Sequence, residues 1–600
     1  MIGAEAIQEA TPFRSDQFSL EQKEYLRGFF SGIEARVRTP FAGEMADGRL
    51  THDPSSGAAN LAIDRGDETF FGTPVDELCR EERWKHESNP LDVWDQLMRH
   101  AQENRLPDPE STYRFKYFGL FHVAPAQDSF MLRMRVPGCI LRSYQMRGLA
   151  EMAEDWGAGE CHVTTRGNLQ IRELEPKNIV NVLMKLDSLG MSSKGSGADN
   201  IRNITATPTT GLDPAELYDV APLARALEHT IRNSRDMYGL PRKFNVAFDS
   251  GGAISVVSDT NDIGFIAVRV ADGKDVPAGI YFRMLLCGIT GHRQFASDTG
   301  LLVPPEQTIA LAAAMIRVFN EHGDRTDRKK ARLKYLVEAW GMEKFLAETE
   351  KKLAFPLLRV AAQECEPRAA VERHGHLGVH AQKQPGLHYI GVVTSVGRMS
   401  VDQMRSVASI ADEFGSGELR LTVWQNLLVP NVPTEKVEAA KAAIVAAGLH
   451  WSASTLMGGV VACTGSKGCK FSSTDTKAHA LALSKYLDER FKIDQPVNLH
   501  VTGCPNSCAQ HYVGDIGLMG MKVGGEEGYQ VFIGGGCDQD QALAREILPA
   551  VKFADLGPMM ERLFLAYTER RRERESFLEF TRRHEASELK AFCETEAPPQ

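Results

Sequence analysis

The chain has 600 residues, 43% of them hydrophobic and 25% charged, with a formal net charge of −10 at pH 7. This length exceeds what one hydrophobic core organises and predicts roughly three to five domains, while the acidic balance argues by bulk electrostatics against a nucleic-acid-binding protein. No window is apolar enough to span a bilayer, and the N-terminal MIGAEAIQEATPFRSDQF shows neither a secretory nor an Arg-rich transit pattern, so a cytoplasmic protein without a membrane partner is expected.

In chain order, SLEQKEYLRGFFSGIEA and NPLDVWDQLMRHAQ read as helices of an N-terminal arm over residues 1–125. The chain then repeats itself. QMRGLAEMAEDWGAGECHVTTRGNLQI from Gln145 aligns without a gap with QMRSVASIADEFGSGELRLTVWQNLLV from Gln403, at an offset of 403 − 145 = 258. Each copy predicts a strand (SFMLRMRV or HYIGVVTSV), an amphipathic helix, a Gly-x-Gly-Glu turn, two alternating strands and a second helix ending at Gly190 or Gly448. This β-α-β-β-α order suits an antiparallel sheet with helices on one face, the α+β class. Downstream, NDIGFIAVRV from Asn261 echoes GDIGLMGMKV from Gly514, and DRTDRKKARLKYL and TERRRERESFLEF read as charged helices. The expected domains are therefore 126–198 (small), 199–375 (large), 376–452 (small) and 453–600 (large), with the polar segment 365–386 linking the halves across a crevice fit for a large ligand.

The copies differ where chemistry is expected. Arg166 falls on Trp424 (166 + 258 = 424), and only the second large domain clusters cysteines, as Cys463-x5-Cys469 and Cys504-x3-Cys508. Zinc sites favour two-residue gaps around one ion, whereas these looser gaps suit a cubane whose irons each take one thiolate; structural zinc remains the alternative. Thr464, Gly465, Gly468 and Gly503 leave backbone N–H groups free to approach cluster sulfides, and Pro505 predicts a helix starting just after Cys504. Of the eleven cysteines, Cys79, Cys139, Cys161, Cys287, Cys365, Cys537 and Cys593 read as small buried hydrophobes, reduced rather than paired.

The first half supplies positive charge. In FMLRMRVPG, Arg133 and Arg135 share a strand face, Arg166 stands at the turn after a strand, and LPRKFNVAF places Lys243 and Asn245 on one face where a strand begins. Charges in an apolar strand need a partner, and an anion in the crevice, a polycarboxylate cofactor or a small oxyanion, would supply it. No Gly-x-Gly-x-x-Gly motif follows a strand, so the electron source is a separate molecule.

With FMLRMRVPG, TTRGNLQIRE, LPRKFN, DRKKARLKYL, ACTGSKGC and TGCPNSCAQ in this order, the chain from about Phe115 onward resembles the sirohaem-dependent nitrite and sulfite reductases. The resemblance implies two ferredoxin-like half-domains and two larger α/β sirohaem and iron–sulfur domains about a pseudo-two-fold. It also implies a [4Fe-4S] cluster on Cys463, Cys469, Cys504 and Cys508, with the Cys508 thiolate shared as axial ligand of a sirohaem that Arg135, Thr165 and Arg166 contact. On the distal side it implies Arg133, Arg166, Lys243 and Asn245 around a small oxyanion. Asn245 in the Lys-x-Asn pair matches the ferredoxin-dependent nitrite branch, as does RFKYFGLFH at Arg114, whereas Gly167 and Glu173 depart from the plant-type pattern and keep sulfite reductase as the alternative. A precorrin-modifying member and a non-enzymatic zinc protein fit less well. The expected donor is ferredoxin or flavodoxin, docking on the run containing Arg328, Lys329 and Lys330 or on TERRRERESF, and the chain is expected to be a monomer.

Overall fold

The computed structural model describes residues 69–454 and 456–594, so the predicted helix at SLEQKEYLRGFFSGIEA lies outside the described residues. Helices at Arg80–Glu87, Trp94–Gln102 and Pro109–Phe115 form the arm and lead into the first small domain. That domain comprises β1 (Leu120–His122), β2 (Phe130–Arg133), β3 (Ile140–Arg142), α1 (Ser143–Trp156), β4 (Glu160–Val163), β5 (Leu169–Leu174) and α2 (Ile179–Ser188). The first large domain contributes β6 (Thr205–Ala206), α3 (Ala221–Asn233), β7 (Val246–Asp249), β8 (Ile263–Val270), β9 (Gly279–Leu286), β10 (Ser297–Val303) and α4 (Thr308–His322).

The second copy repeats this order. Its small domain has β11 (Gly378–Ala381), β12 (Leu387–Val392), β13 (Arg398–Ser400), α5 (Val401–Phe414), β14 (Glu418–Leu421), β15 (Leu427–Pro433) and α6 (Val437–Ala446). Its large domain has β16 (Val460–Ala462), α7 (Thr476–Asp488), β17 (Leu499–Thr502), β18 (Ile516–Val523), β19 (Glu526–Ile533), β20 (Arg545–Lys552) and α8 (Phe553–Arg570). The repeated Gln of the QMR motif explains why both copies start a helix at the same place. Gln145 accepts the N–H of Arg142 at 2.9 Å and Gln403 that of Ser400 at 3.1 Å, each closing a capping box, and each amide also donates to the carbonyl at the end of the second helix, Leu189 or Gly448. The turns after these helices need the left-handed backbone that Gly159 (φ 73°) and Gly417 (φ 69°) adopt.

The two small sheets do not close within their own halves. Their orders are β13-β4-β5-β2-β1 and β11-β12-β15-β14-β3, so each takes an edge strand from the other copy. Met399 lies opposite Cys161, and Leu141 opposite Leu419. α1 packs on α5, Arg147 pairs with Asp412 and Arg405 with Glu154 across that contact, and one apolar core runs through both copies.

Each large domain has a mixed sheet, ordered β10-β9-β8-β7-β6 or β16-β17-β18-β19-β20, with β6, β7 and β8 parallel in one and β16, β17 and β18 parallel in the other. The segment 365–386, expected as a linker, is instead tied into the body. Arg368 pairs with Asp249 of the first large domain and Arg373 with Asp515 of the second, His376 is buried, and Gly378–Ala381 is the edge strand β11.

Two predicted charged helices are corrected. In DRTDRKKARLKYL the helix begins only at Leu333, because Asp324 accepts the N–H of Thr326 and Asp327 that of Lys329, closing side-chain turns before it. TERRRERESFLEF breaks after Arg570, where α8 ends, and resumes at Phe577 under a Ser576–Glu579 capping box. No helix among the described residues is long and apolar enough to cross a membrane.

Candidate active site

The sulfur group stands at the carboxyl ends of two adjacent parallel strands. β16 pairs with β17 in the register Val460↔Leu499 to Ala462↔Val501, so the loop beginning at Cys463 and the loop carrying Cys504 and Cys508 leave the sheet side by side. The N–H of Cys463 donates to Val501, and that of Gly503 to the Cys463 sulfur at 3.3 Å. Burial raises the Cys463 thiol to about 11 and also raises Cys504; charge on Cys508 raises both further, and charge on Cys469 raises Cys504. Such mutually opposed thiols call for a cation between them. Among the described residues no three His, Cys, Asp or Glu side chains converge on a single-ion site, whereas a cubane spreads its thiolates because each binds a different iron. Pro505 starts no helix, correcting that expectation: residues 503–513 are successive turns, with Ser507 and Gln510 in the left-handed region on either side of Cys508. Cys508 is exposed, and Thr165 of the first half donates to its carbonyl at 3.0 Å.

The cationic group stands at the amino ends of the matching strands in the first half. A parallel bridge pairs Ile201 with Phe244, and Phe244 is fully buried, which turns Lys243 and Asn245 to the opposite side and sets Arg202 beside them. Burial lowers Lys243 to about 8, helped by Arg332, Arg202 and Arg242 and opposed by Cys508. Burial, then Arg133 and Arg242, lowers Arg202 to about 9, while its guanidinium donates only to the carbonyls of Ser196 and Ala198. Arg133 lies over the Phe121 ring at 4.4 Å and is lowered to about 10 by burial, with Cys508 opposing. Lys116 is held down to about 8 by burial and then Lys470. Arg133 and Lys243 feel the Cys508 thiol, Arg133 depresses Arg202, and Arg202 depresses Lys243 and Lys116, the environment a polyanionic cofactor with a small anion above it would neutralise.

Two expected members of this group are hydrogen-bonded within the protein. Arg166 is bound by Asn261 at 2.8 Å and by the carbonyls of Asn203 and Val246, and the charges it feels are Cys139, Asp262, Arg332 and Arg135 rather than Arg133 or Cys508. Arg202 is the further cation that feels Arg133. Arg166 and Trp424, equivalent in the two copies, line one pocket with Thr165, His500 and Gln510. Arg135 leaves the strand, which ends at Arg133, and forms a buried bidentate pair with Glu228 at 2.5 and 2.6 Å. Its charge is spent inside the protein. Arg135→Met is therefore expected to cost about 3–5 kcal/mol of stability by leaving Glu228 buried and unpaired, seen in denaturant unfolding, with cofactor content unchanged.

Arg328, expected on a docking surface, is bidentate to Asp199 at 2.6 and 2.9 Å, and Arg332 pairs with Asp262 at 2.7 Å; Lys329 and Lys330 are exposed. Asp199 also accepts from Tyr113 of the arm at 2.8 Å, so this carboxylate holds arm and crevice together.

Comparison with known proteins agrees with this geometry. The model of the nitrite and sulphite reductase 4Fe-4S domain matches residues 197–357 and 454–599, and that of the nitrite/sulfite reductase ferredoxin-like half domain matches 122–189 and 380–447. The ferredoxin–nitrite reductase of Synechococcus elongatus is 34% identical over 505 residues, 82% of this chain and 97% of that protein. The chloroplastic ferredoxin–nitrite reductase of Zea mays is 35% identical over 476 residues, 77% of this chain and 83% of that protein. The solved structure of the Mycobacterium tuberculosis NirA protein superposes with a TM-score of 0.78 at 26% identity, covering 85% of this chain and 97% of that one. With both copies of both domains matched in order, and a four-thiol loop pair facing unneutralised cations, the chain belongs to the nitrite and sulphite reductase family, whose cofactors are sirohaem and a [4Fe-4S] cluster.

Proposed function

We propose that the protein reduces nitrite to ammonium with electrons from ferredoxin. The observation that carries this reading is the pair Arg133 and Lys243, both of which feel the Cys508 thiol and neither of which is hydrogen-bonded to a carboxylate among the described residues, next to an uncharged Asn245. When bound, sirohaem and the cluster would relay, one at a time, the six electrons that ferredoxin supplies. Cys463, Cys469 and Cys504 would hold the cluster, and Cys508 would hold both cofactors; Lys116, depressed by burial and by Lys470, would offer positive charge to sirohaem carboxylates. Arg133, Arg202 and Lys243 offset the charge of the anion and of the oxygens released from it. Asn245 orients the anion by hydrogen bonding. With one cation fewer than a Lys-x-Lys pair would give, the site matches a monoanion better than a dianion.

Eight protons are needed, and Lys243 is the group suited to deliver them from Nζ, since its ammonium is held near the working pH. The donor is the protonated form, so its fraction falls as pH rises through about 8. The free-enzyme profile of kcat/KM is expected to decline tenfold per pH unit above that value. Lys243→Met should remove this limb and lower kcat by roughly 10²–10⁴; a limb unchanged in that variant would assign the titration to another group.

A steady-state assay with reduced methyl viologen, comparing nitrite with sulfite, tests the reading. Higher specificity for sulfite overturns the substrate and leaves the cofactors standing; a purified protein without sirohaem bands overturns both. Asn245→Lys is expected to retain both cofactors and shift preference toward sulfite.

A further inference from the structure

Arg172 belongs to the half without clustered cysteines, yet it reaches the cysteine loop of the other. It lies on β5, and its counterpart in the second copy (172 + 258 = 430) is Pro430, so one half alone carries this cation. Its side chain is buried at 4% exposure. Nη1 donates to the Gly468 carbonyl at 3.3 Å, Nη2 to the Thr464 hydroxyl at 3.0 Å and to Gln170 at 3.2 Å, and Nε has no partner. Gly468 permits the contact, because a Cβ there would stand 2.2 Å from Nη1. Arg172 forms no ion pair with a carboxylate among the described residues, and the foremost opposite charge it feels is Cys469, followed by Glu160, Glu173 and Cys463. Glu160 is itself engaged by His162 and Arg398. A buried guanidinium needs an anion, and the thiolates of this loop are what the fold offers it. Lys477, the other buried cation near Cys463, donates instead to the carbonyl of Val396, away from the loop.

We propose that Arg172 sets the reduction potential of the iron–sulfur cluster, its guanidinium bound to the loop between Cys463 and Cys469 and favouring the reduced, more negative state. This rests on the assignment of the cluster to the four cysteines. On reduction the cluster takes one electron from a ferredoxin-class donor, which is oxidised; the cluster gains one negative charge and no bond is made or broken. A fixed positive charge in a low-dielectric site stabilises that added charge, and net charge and hydrogen bonding near the sulfurs are the levers that move such potentials. Arg172 is thus a positioning and charge-setting residue that acts through the cluster.

Potentiometric titration of the full chain, followed by electron paramagnetic resonance of the reduced cluster, tests this alongside iron and sulfide content. Arg172→Gln is expected to keep its iron and sulfide and to shift the midpoint negative by about 59 mV, a tenfold change in a one-electron equilibrium, with Arg172→Lys moving less than half as far. An unchanged potential in Arg172→Gln overturns the proposal, as does an equal fall in both variants, which would make geometry rather than charge the cause. Should Arg172→Gln lose its iron, Gly468→Ala carries the test, since its Cβ pushes the guanidinium off the loop without removing a thiol; a negative shift there supports the proposal and an unchanged value overturns it. A wild-type chain without iron and sulfide sinks the cluster assignment instead.

Discussion

Cys508→Ala is expected to yield a folded protein that has lost sirohaem and cluster together, with nitrite reduction below detection. The fold should survive because Cys508 is exposed and in no core, and because its loop is held by the backbone carbonyl that Thr165 binds and by the Gln510 amide donating to Thr260 at 3.0 Å. The chemistry should not survive if, as proposed, one sulfur serves both cofactors. Visible absorption together with iron and sulfide analysis reads the outcome. Retention of sirohaem bands in Cys508→Ala would separate the two cofactors and remove the shared ligand. Cys504→Ala, by contrast, would on the same proposal remove a ligand of the cluster alone.

Arg202→Gln is expected to lower kcat/KM for nitrite by roughly 10²–10³, the usual loss on removing one preorganised donor from developing negative charge. Arg202 donates to two carbonyls and forms no carboxylate hydrogen bond among the described residues, though Asp199 partly offsets its charge, and it stands beside Arg133 in the proposed site. Arg166→Gln should change kcat/KM by less than about tenfold, because the charges its guanidinium chiefly feels are Cys139, Asp262, Arg332 and Arg135 rather than those of the Arg133 and Lys243 group, and three hydrogen bonds hold it. Steady-state kinetics on variants with matched sirohaem absorbance decides between them. A large loss in Arg166→Gln with little in Arg202→Gln would return the site to the arrangement expected from sequence.

The duplication was legible because the features that repeat are local: a Gln that caps a helix, a glycine that turns left-handed, an alternation that buries one face. The cysteines were legible for the same reason, since short gaps keep ligands in one loop. Strand exchange was not, because Ile140–Arg142 and Arg398–Ser400 have the same alternation whichever sheet they join. Arg202 was missed because it sits in GADNIRNIT, without the apolar strand neighbours that made Arg133 and Arg135 conspicuous; its signal was its place just before a buried parallel strand. Arg135 looked like a ligand for the reason that made it a structural residue, a charge within an apolar strand whose partner, Glu228, is 93 residues away.

An edge strand lent by each copy to the other is the geometry that a domain-swapped dimer of two such copies would have. While two such subunits were identical, every residue would have appeared twice, and a cation placed opposite a thiolate on one side would have had its duplicate opposite a thiolate on the other. Joining the copies ended that constraint. Pro430 could then stand where the first copy has Arg172, and Trp424 where it has Arg166, while the lent strands kept the two lineages in contact as they diverged. Two copies in one chain thus make a molecule with a left and a right, cations gathered on one side and thiols on the other.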